Sequence, residues 1–62
     1  MITIEHNGKR RKFYDPEQLY DYVAQRSITD CYILRDGRRL LVSMDDIERW
    51  ARTGKLTGAI EA

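Results

Sequence analysis

Residues that carry chemistry are scarce in this chain. Its 62 residues include one cysteine, Cys31, and one histidine, His6. A lone cysteine excludes an intrachain disulfide and any zinc site built on paired cysteines. Cys31 and His6 are the only candidate thiol–imidazole pair, and nothing in the pattern brings them together. No glycine-rich loop sits between a strand and a helix, so a phosphate cradle of that kind is missing. The acids Asp15, Glu17, Asp45 and Asp46 lie where helix caps belong, which explains them better than paired catalytic carboxylates would. The expectation is a protein that is not an enzyme and takes no metal or cofactor.

Other absences narrow the class further. No apolar run reaches the roughly 20 residues that span a bilayer. The start, Met1-Ile2-Thr3-Ile4-Glu5, has neither the basic opening nor the apolar stretch of a secretory signal. The expected setting is cytoplasmic, away from membranes, with Cys31 reduced. The net charge is only +1, short of the basic excess typical of nucleic-acid binders. Hydrophobic residues make up 42% and charged residues 34%, a balance that argues against wholesale disorder. The length means one domain, residues 1–62, with a thin core, because a chain this short buries only roughly 60% of its unfolded surface. Without a disulfide or metal staple, stability must come from helix–sheet packing, a homodimer or a partner.

The local pattern is informative. Asn7-Gly8 and, 29 residues on, Asp36-Gly37 are strong two-residue hairpin signals, because both central positions need positive φ. Apolar and β-branched residues flank each turn, predicting strands near 2–6, 9–14, 31–35 and 38–42. A helix start follows each hairpin. Asp15-Pro16-Glu17-Gln18 places a capping acid before proline at the first helical position. Ser43-Met44-Asp45-Asp46 is a second capping box. The first helix should run to about Arg26 with Leu19, Tyr22 and Val23 inward. The second should run to about Thr53 with Met44, Ile47, Trp50 and Ala51 inward, and stop at Gly54.

The two halves, about 1–28 and 29–56, align. At an offset of 29, Ile4 matches Ile33, Gly8 matches Gly37 and Arg10 matches Arg39. At 28, Leu19 matches Ile47 and Tyr22 matches Trp50. Either a duplicated unit or chance similarity would produce this, and both lead to the same fold. That fold is α+β, a pseudo-duplicated ββαββα chain with a four-stranded, mainly antiparallel sheet and both helices on one face. The tail, 57–62, is expected to add a short edge strand or to stay mobile.

The turns also set register. In the first hairpin Ile2 opposes Phe13, Ile4 opposes Arg11 and His6 opposes Lys9, while Glu5 opposes Arg10 on the other face. In the second, Cys31 opposes Val42 and Ile33 opposes Leu40; Tyr32 opposes Leu41 and Leu34 opposes Arg39. Both faces of the second hairpin are thus apolar. With helices on one, Tyr32, Leu34 and Leu41 look outward unless the tail or residues 27–30 cover them. Arg35 and Arg38 come face to face at the tip. Lys9, Arg10, Arg11 and Lys12 form a basic patch beside the other tip, suited to phosphate, to an acidic protein surface, or to keeping strand edges from aggregating. Tyr14 and Tyr20 are the aromatics that fit the core face least well.

Two resemblances bear on function. The segment Phe13–Val23, a strand end leading into the capped helix Glu17-Gln18-Leu19, resembles small phage-encoded inhibitors of the anti-CRISPR type. That resemblance implies a compact domain that blocks a host complex such as a CRISPR effector, and it covers 11 of the 62 residues. The segment Asp46–Leu56, with Trp50 ahead of Gly54-Lys55-Leu56, looks like the recognition helix and turn of excisionase-type winged-helix proteins. There, Arg49, Arg52 and Lys55 would face phosphates.

The leading expectation is a protein–protein interaction module acting as an inhibitor or adapter on a protein or nucleoprotein partner. Its contact residues would be Tyr32, Leu34, Arg35, Arg38, Arg39 and Leu41. The alternative is a nucleic-acid-binding protein that uses the basic hairpins or the excisionase-like helix.

Overall fold

The structure is a computed structural model that describes all 62 residues. It is built outward from its two tight turns. Asn7 and Gly8 have φ of 53° and 78°, and Asp36 and Gly37 have 52° and 74°. This left-handed pair of residues is the geometry whose twist matches antiparallel strands. The first turn joins β1 (Ile2–His6) to β2 (Lys9–Phe13), and the second joins β3 (Asp30–Arg35) to β4 (Arg38–Ser43). Both expected registers hold, from Ile2 opposite Phe13 to Arg35 opposite Arg38. The strands end within a residue of their expected limits.

The hairpins meet through their first strands. β1 pairs antiparallel with β3, placing Ile4 opposite Ile33 and Glu5 opposite Tyr32. The sheet has five strands, not four, in the order β2-β1-β3-β4-β5. The fifth, β5 (Ile60–Glu61), comes from the tail and pairs Ile60 with Leu41 and Glu61 with Leu40. Two left-handed glycines bring it there. Gly54, φ 80°, stops the second helix, and Gly58, φ 83°, turns the chain back toward β4. At Gly58 a Cβ would lie 2.5 Å from an Asp46 carboxylate oxygen, so glycine also permits the close approach.

Both helices form where their caps require. In α1 (Pro16–Gln25) the Asp15 carboxylate accepts from the Gln18 amide at 2.9 Å, and the Gln18 side chain accepts from the Tyr14 amide at 3.2 Å. The helix ends one residue before Arg26, where the Ile28 amide donates back to the Val23 carbonyl. In α2 (Met44–Thr53) the box is reciprocal: Asp46 N–H donates to the Ser43 hydroxyl and Ser43 N–H to the Asp46 carboxylate.

Leu19 and Val23 of α1 and Ile47 and Trp50 of α2 are buried in one cluster with Ile4, Cys31, Ile33 and Val42. These strand residues share one sheet face by register, so both helices lie on that face. Each fully buried chain of this kind contributes about 1.5–3 kcal/mol. Tyr22, expected inward, is only half-buried. Residues 4 and 33, equivalent under the 29-residue offset, are direct partners in the sheet. Thr3 opposite Leu34 and Glu5 opposite Tyr32 exchange under the same offset, so the pairing of β1 with β3 is symmetric about that pair.

Candidate functional site

The sheet face opposite the helices has no helix or strand laid over it. Alternation places Thr3, Glu5, Arg10, Lys12, Tyr32, Leu34, Arg39, Leu41 and Ile60 there. Tyr32, Leu34 and Leu41 are half-buried by their neighbours alone, and Ile60 is 65% exposed. Neither the tail nor residues 27–30 form a cover; the tail instead widens the face by adding Ile60 beside Leu41.

Charge is laid around this apolar centre in a connected way. Glu5 receives Arg39 at 3.3 Å and Arg10 at 3.9 Å. The Arg39 guanidinium also lies 4.3 Å from the Tyr32 ring centroid, a cation–π contact. A cleft of about 490 Å³ opens at this end, lined by Thr3, Arg10, Leu34 and Arg39 with the turn residues Arg35 to Arg38. The opposed arginines of the second tip have partners within the fold. Arg38 pairs with Glu61 of β5 at 3.4 Å, and Arg35 lies 5.8 Å from the Trp50 ring centroid. Their mutual repulsion is therefore relieved without an outside anion.

The four-residue basic run does not make one patch. β2 alternates, so Arg10 and Lys12 face the open side while Lys9 and Arg11 turn to the helix side. There Lys9 and Arg11 meet a residue that sequence reasoning passed over, Arg26 at the end of α1. A second cleft, about 280 Å³, lies between the first hairpin and this helix end, over Ile4, Tyr22 and Ile28. Tyr22 is its centre. Its ring packs tilted against Phe13 at 5.1 Å, with the Arg26 guanidinium at 4.1 Å and that of Arg11 at 5.2 Å. The available signal was Arg11 itself, a cation opposite Ile4 on the apolar face.

On α2, Arg49 is held by Asp46 at 2.8 Å and by the Thr57 hydroxyl at 3.4 Å. Trp50 is in the core. Arg52 and Lys55 are exposed around the Gly54 stop, so the trio expected to face phosphates is split between one engaged arginine and two free cations. Tyr14 is 77% exposed. Tyr20 is half-buried and donates its hydroxyl to Glu48 at 3.3 Å, linking the helices; the Glu48 charge raises its pKa.

Cys31 is buried beside Val42. Burial, aided by the charge of Asp30, pushes its thiol up to about 11. It is therefore a neutral packing group at ordinary pH and a poor nucleophile. His6 lies at the first hairpin's tip, opposite Lys9. No group of three or more histidine, cysteine or acidic residues is placed to hold a metal ion. No helix is long and apolar enough to cross a membrane. No family model, curated protein or solved structure matches the chain.

Proposed function

We propose that this protein is a non-enzymatic interaction module that docks on an acidic, partly apolar protein surface through the open face of its sheet. The observation that carries the reading is the uncovered group of Tyr32, Leu34, Leu41 and Ile60 with arginines along one end. Interface centres favour aromatic, aliphatic and arginine side chains, and hot spots cluster where an apolar centre is ringed by polar groups. Arg39 is already seated on Tyr32 and tied to Glu5, so less side-chain freedom is lost on docking.

The distribution of charge supports an acidic partner. The hairpins carry seven basic residues (Lys9, Arg10, Arg11, Lys12, Arg35, Arg38, Arg39) against three acids (Glu5, Asp30, Asp36). The helices and their caps reverse this, with six acids (Asp15, Glu17, Asp21, Asp45, Asp46, Glu48) against three arginines (Arg26, Arg49, Arg52). A net charge of +1 conceals a basic sheet and an acidic helix layer, and such asymmetry orients an approaching partner. In this reading the protein is an inhibitor or adapter that covers part of a larger assembly.

The test is capture of partners from lysate of the source cells by tagged wild-type protein and by Leu34→Glu, with and without nuclease. The new carboxylate would sit opposite Arg39 and share its cleft with Arg10, so the variant should fold, with an unchanged circular dichroism spectrum. The expected result is a stoichiometric protein partner that survives nuclease and is lost with Leu34→Glu. An unfolded variant would mean that the open face is core. Recovery that vanishes with nuclease would point to nucleic acid, and its binding would then weaken by about 0.9 log units per phosphate contact for each tenfold rise in salt on duplex DNA.

A further inference from the structure

We propose that the cleft beneath the first hairpin, on the opposite side of the sheet from the docking face, is a binding site for a phosphate group. Its floor is apolar and fixed: Ile4 and Ile28 are buried, at 1% and 7% exposure. Its cations come from two directions. Lys9 and Arg11 descend from β2, and Arg26 reaches in from the end of α1.

The charge of this cleft is unanswered. Asn7 and His6 complete its rim, and none of the residues lining it is acidic. The four ion pairs of the molecule engage Arg10, Arg38, Arg39 and Arg49, and none engages Lys9, Arg11 or Arg26. The larger cleft on the open face differs, since Glu5 and Asp36 offset its arginines. A helix C-terminus alone accounts for one cation near Arg26. It does not account for Arg11 gathering on the same ring, or for Lys9 beside it.

The chemistry matches a tetrahedral oxyanion. Guanidinium forks bind phosphate oxygens through paired charge-assisted hydrogen bonds, and lysine adds a point charge. Arg11 and Arg26 both rest against Tyr22, at 5.2 and 4.1 Å, so each fork is partly oriented before a ligand arrives. The apolar floor lowers the dielectric on one side of a bound oxyanion, which strengthens the attraction there. Cations from separate elements suit the several oxygens of a phosphate better than the two coplanar oxygens of a carboxylate. The volume, about 280 Å³, lies at the lower end of ligand clefts of roughly 300–1,000 Å³, which leaves room for a phosphate group and part of the molecule that carries it. The phosphate could be carried by a small metabolite or by a nucleic-acid backbone, since both present the same oxygens.

The test is a titration of isotope-labelled protein with inorganic phosphate at constant ionic strength, followed by amide chemical shifts. Wild type should show saturable shifts confined to Lys9, Arg11, Tyr22, Arg26 and their neighbours. Arg26→Gln, which keeps much of the stem over Tyr22, should weaken binding by about tenfold or more, as expected for loss of a charged hydrogen-bonding partner. Arg39→Gln on the open face should leave the midpoint unchanged. Two further arms assign the source: a nucleoside monophosphate that binds like inorganic phosphate indicates a single phosphate group. A single-stranded oligonucleotide that binds more tightly and more salt-dependently indicates a backbone. Shifts that fail to saturate, or equal midpoints for Arg26→Gln and Arg39→Gln, would overturn the proposal.

Discussion

Strand β3 presents two different environments one residue apart. Cys31 and Ile33 point under the helices and are 2% and 1% exposed, while Tyr32 and Leu34 point to the open face and are half-buried. Both faces are apolar in composition, yet only one is closed. On the helix side, neighbours from five elements and the preceding loop complete the packing. On the open side, shelter comes from the stems and forks of long charged residues, with Glu5 holding two of them. A similar sequence of side chains therefore serves as core on one face and as contact surface on the other.

The sharpest way to break this contrast is to truncate adjacent residues. Ile33→Ala should cost about 2–5 kcal/mol in urea unfolding, the range for buried aliphatic truncations. A domain of this length has roughly 3–9 kcal/mol in all, so much of that variant should be unfolded. Leu34→Ala should cost less than about 1 kcal/mol, because its site is open to water already. Equal losses would mean that the open face is a second core.

The buried face should also be the one that fails in alkali. Cys31 titrates at about 11 in the fold against an ordinary value of 9.0. The native state thus keeps a proton that the unfolded chain gives up. The stabilising contribution is complete below about pH 9 and is lost as pH rises through about 11, amounting to about 2–3 kcal/mol. Cys31→Val should remove that component of the alkaline loss while preserving the packing. Matching alkaline unfolding profiles for the two proteins would place the sensitivity elsewhere.

The smallest change in stability, but an informative one, is expected from Glu5→Gln. Exposed ion pairs contribute about 0–1 kcal/mol, so the melting temperature should fall by no more than about 8 °C. Arg10 and Arg39 would nevertheless be released. Weak phosphate shifts should then arise around Thr3 and Leu34, making the open-face cleft behave like the one under the first hairpin. If none arise, the difference between the clefts lies in shape and not in charge.

These contrasts were unevenly legible in the sequence. The hairpins, their registers and both caps could be read because each depends on residues a few positions apart: Asn7-Gly8, Asp36-Gly37, Asp15 with Gln18, and Ser43 with Asp46. Two inward faces followed from periodicity, and the openness of Tyr32, Leu34 and Leu41 followed from register. The neighbour relation of β1 and β3 was not legible, since nothing local marks which strands meet. With it went the Arg39–Glu5 pair, which depends on that junction. The fifth strand is only one of two states the tail sequence allows, because two residues carry little pattern. Arg26 was passed over because its significance arises only when the end of α1 comes down beside Arg11.

The pairing of β1 with β3 around Ile4 and Ile33 has a kinetic consequence. Each half needs only a two-residue turn and one short helix, and such elements form in about a microsecond to ten microseconds. The pairing of β1 with β3 must close a long stretch of chain and is the event that brings the core residues of both halves together. Folding should therefore be limited by the meeting of the two halves, since neither a ten-residue helix nor a lone hairpin is stable by itself. Substitutions at their seam would slow folding, whereas those at the outer strands β2 and β5 would mainly speed unfolding.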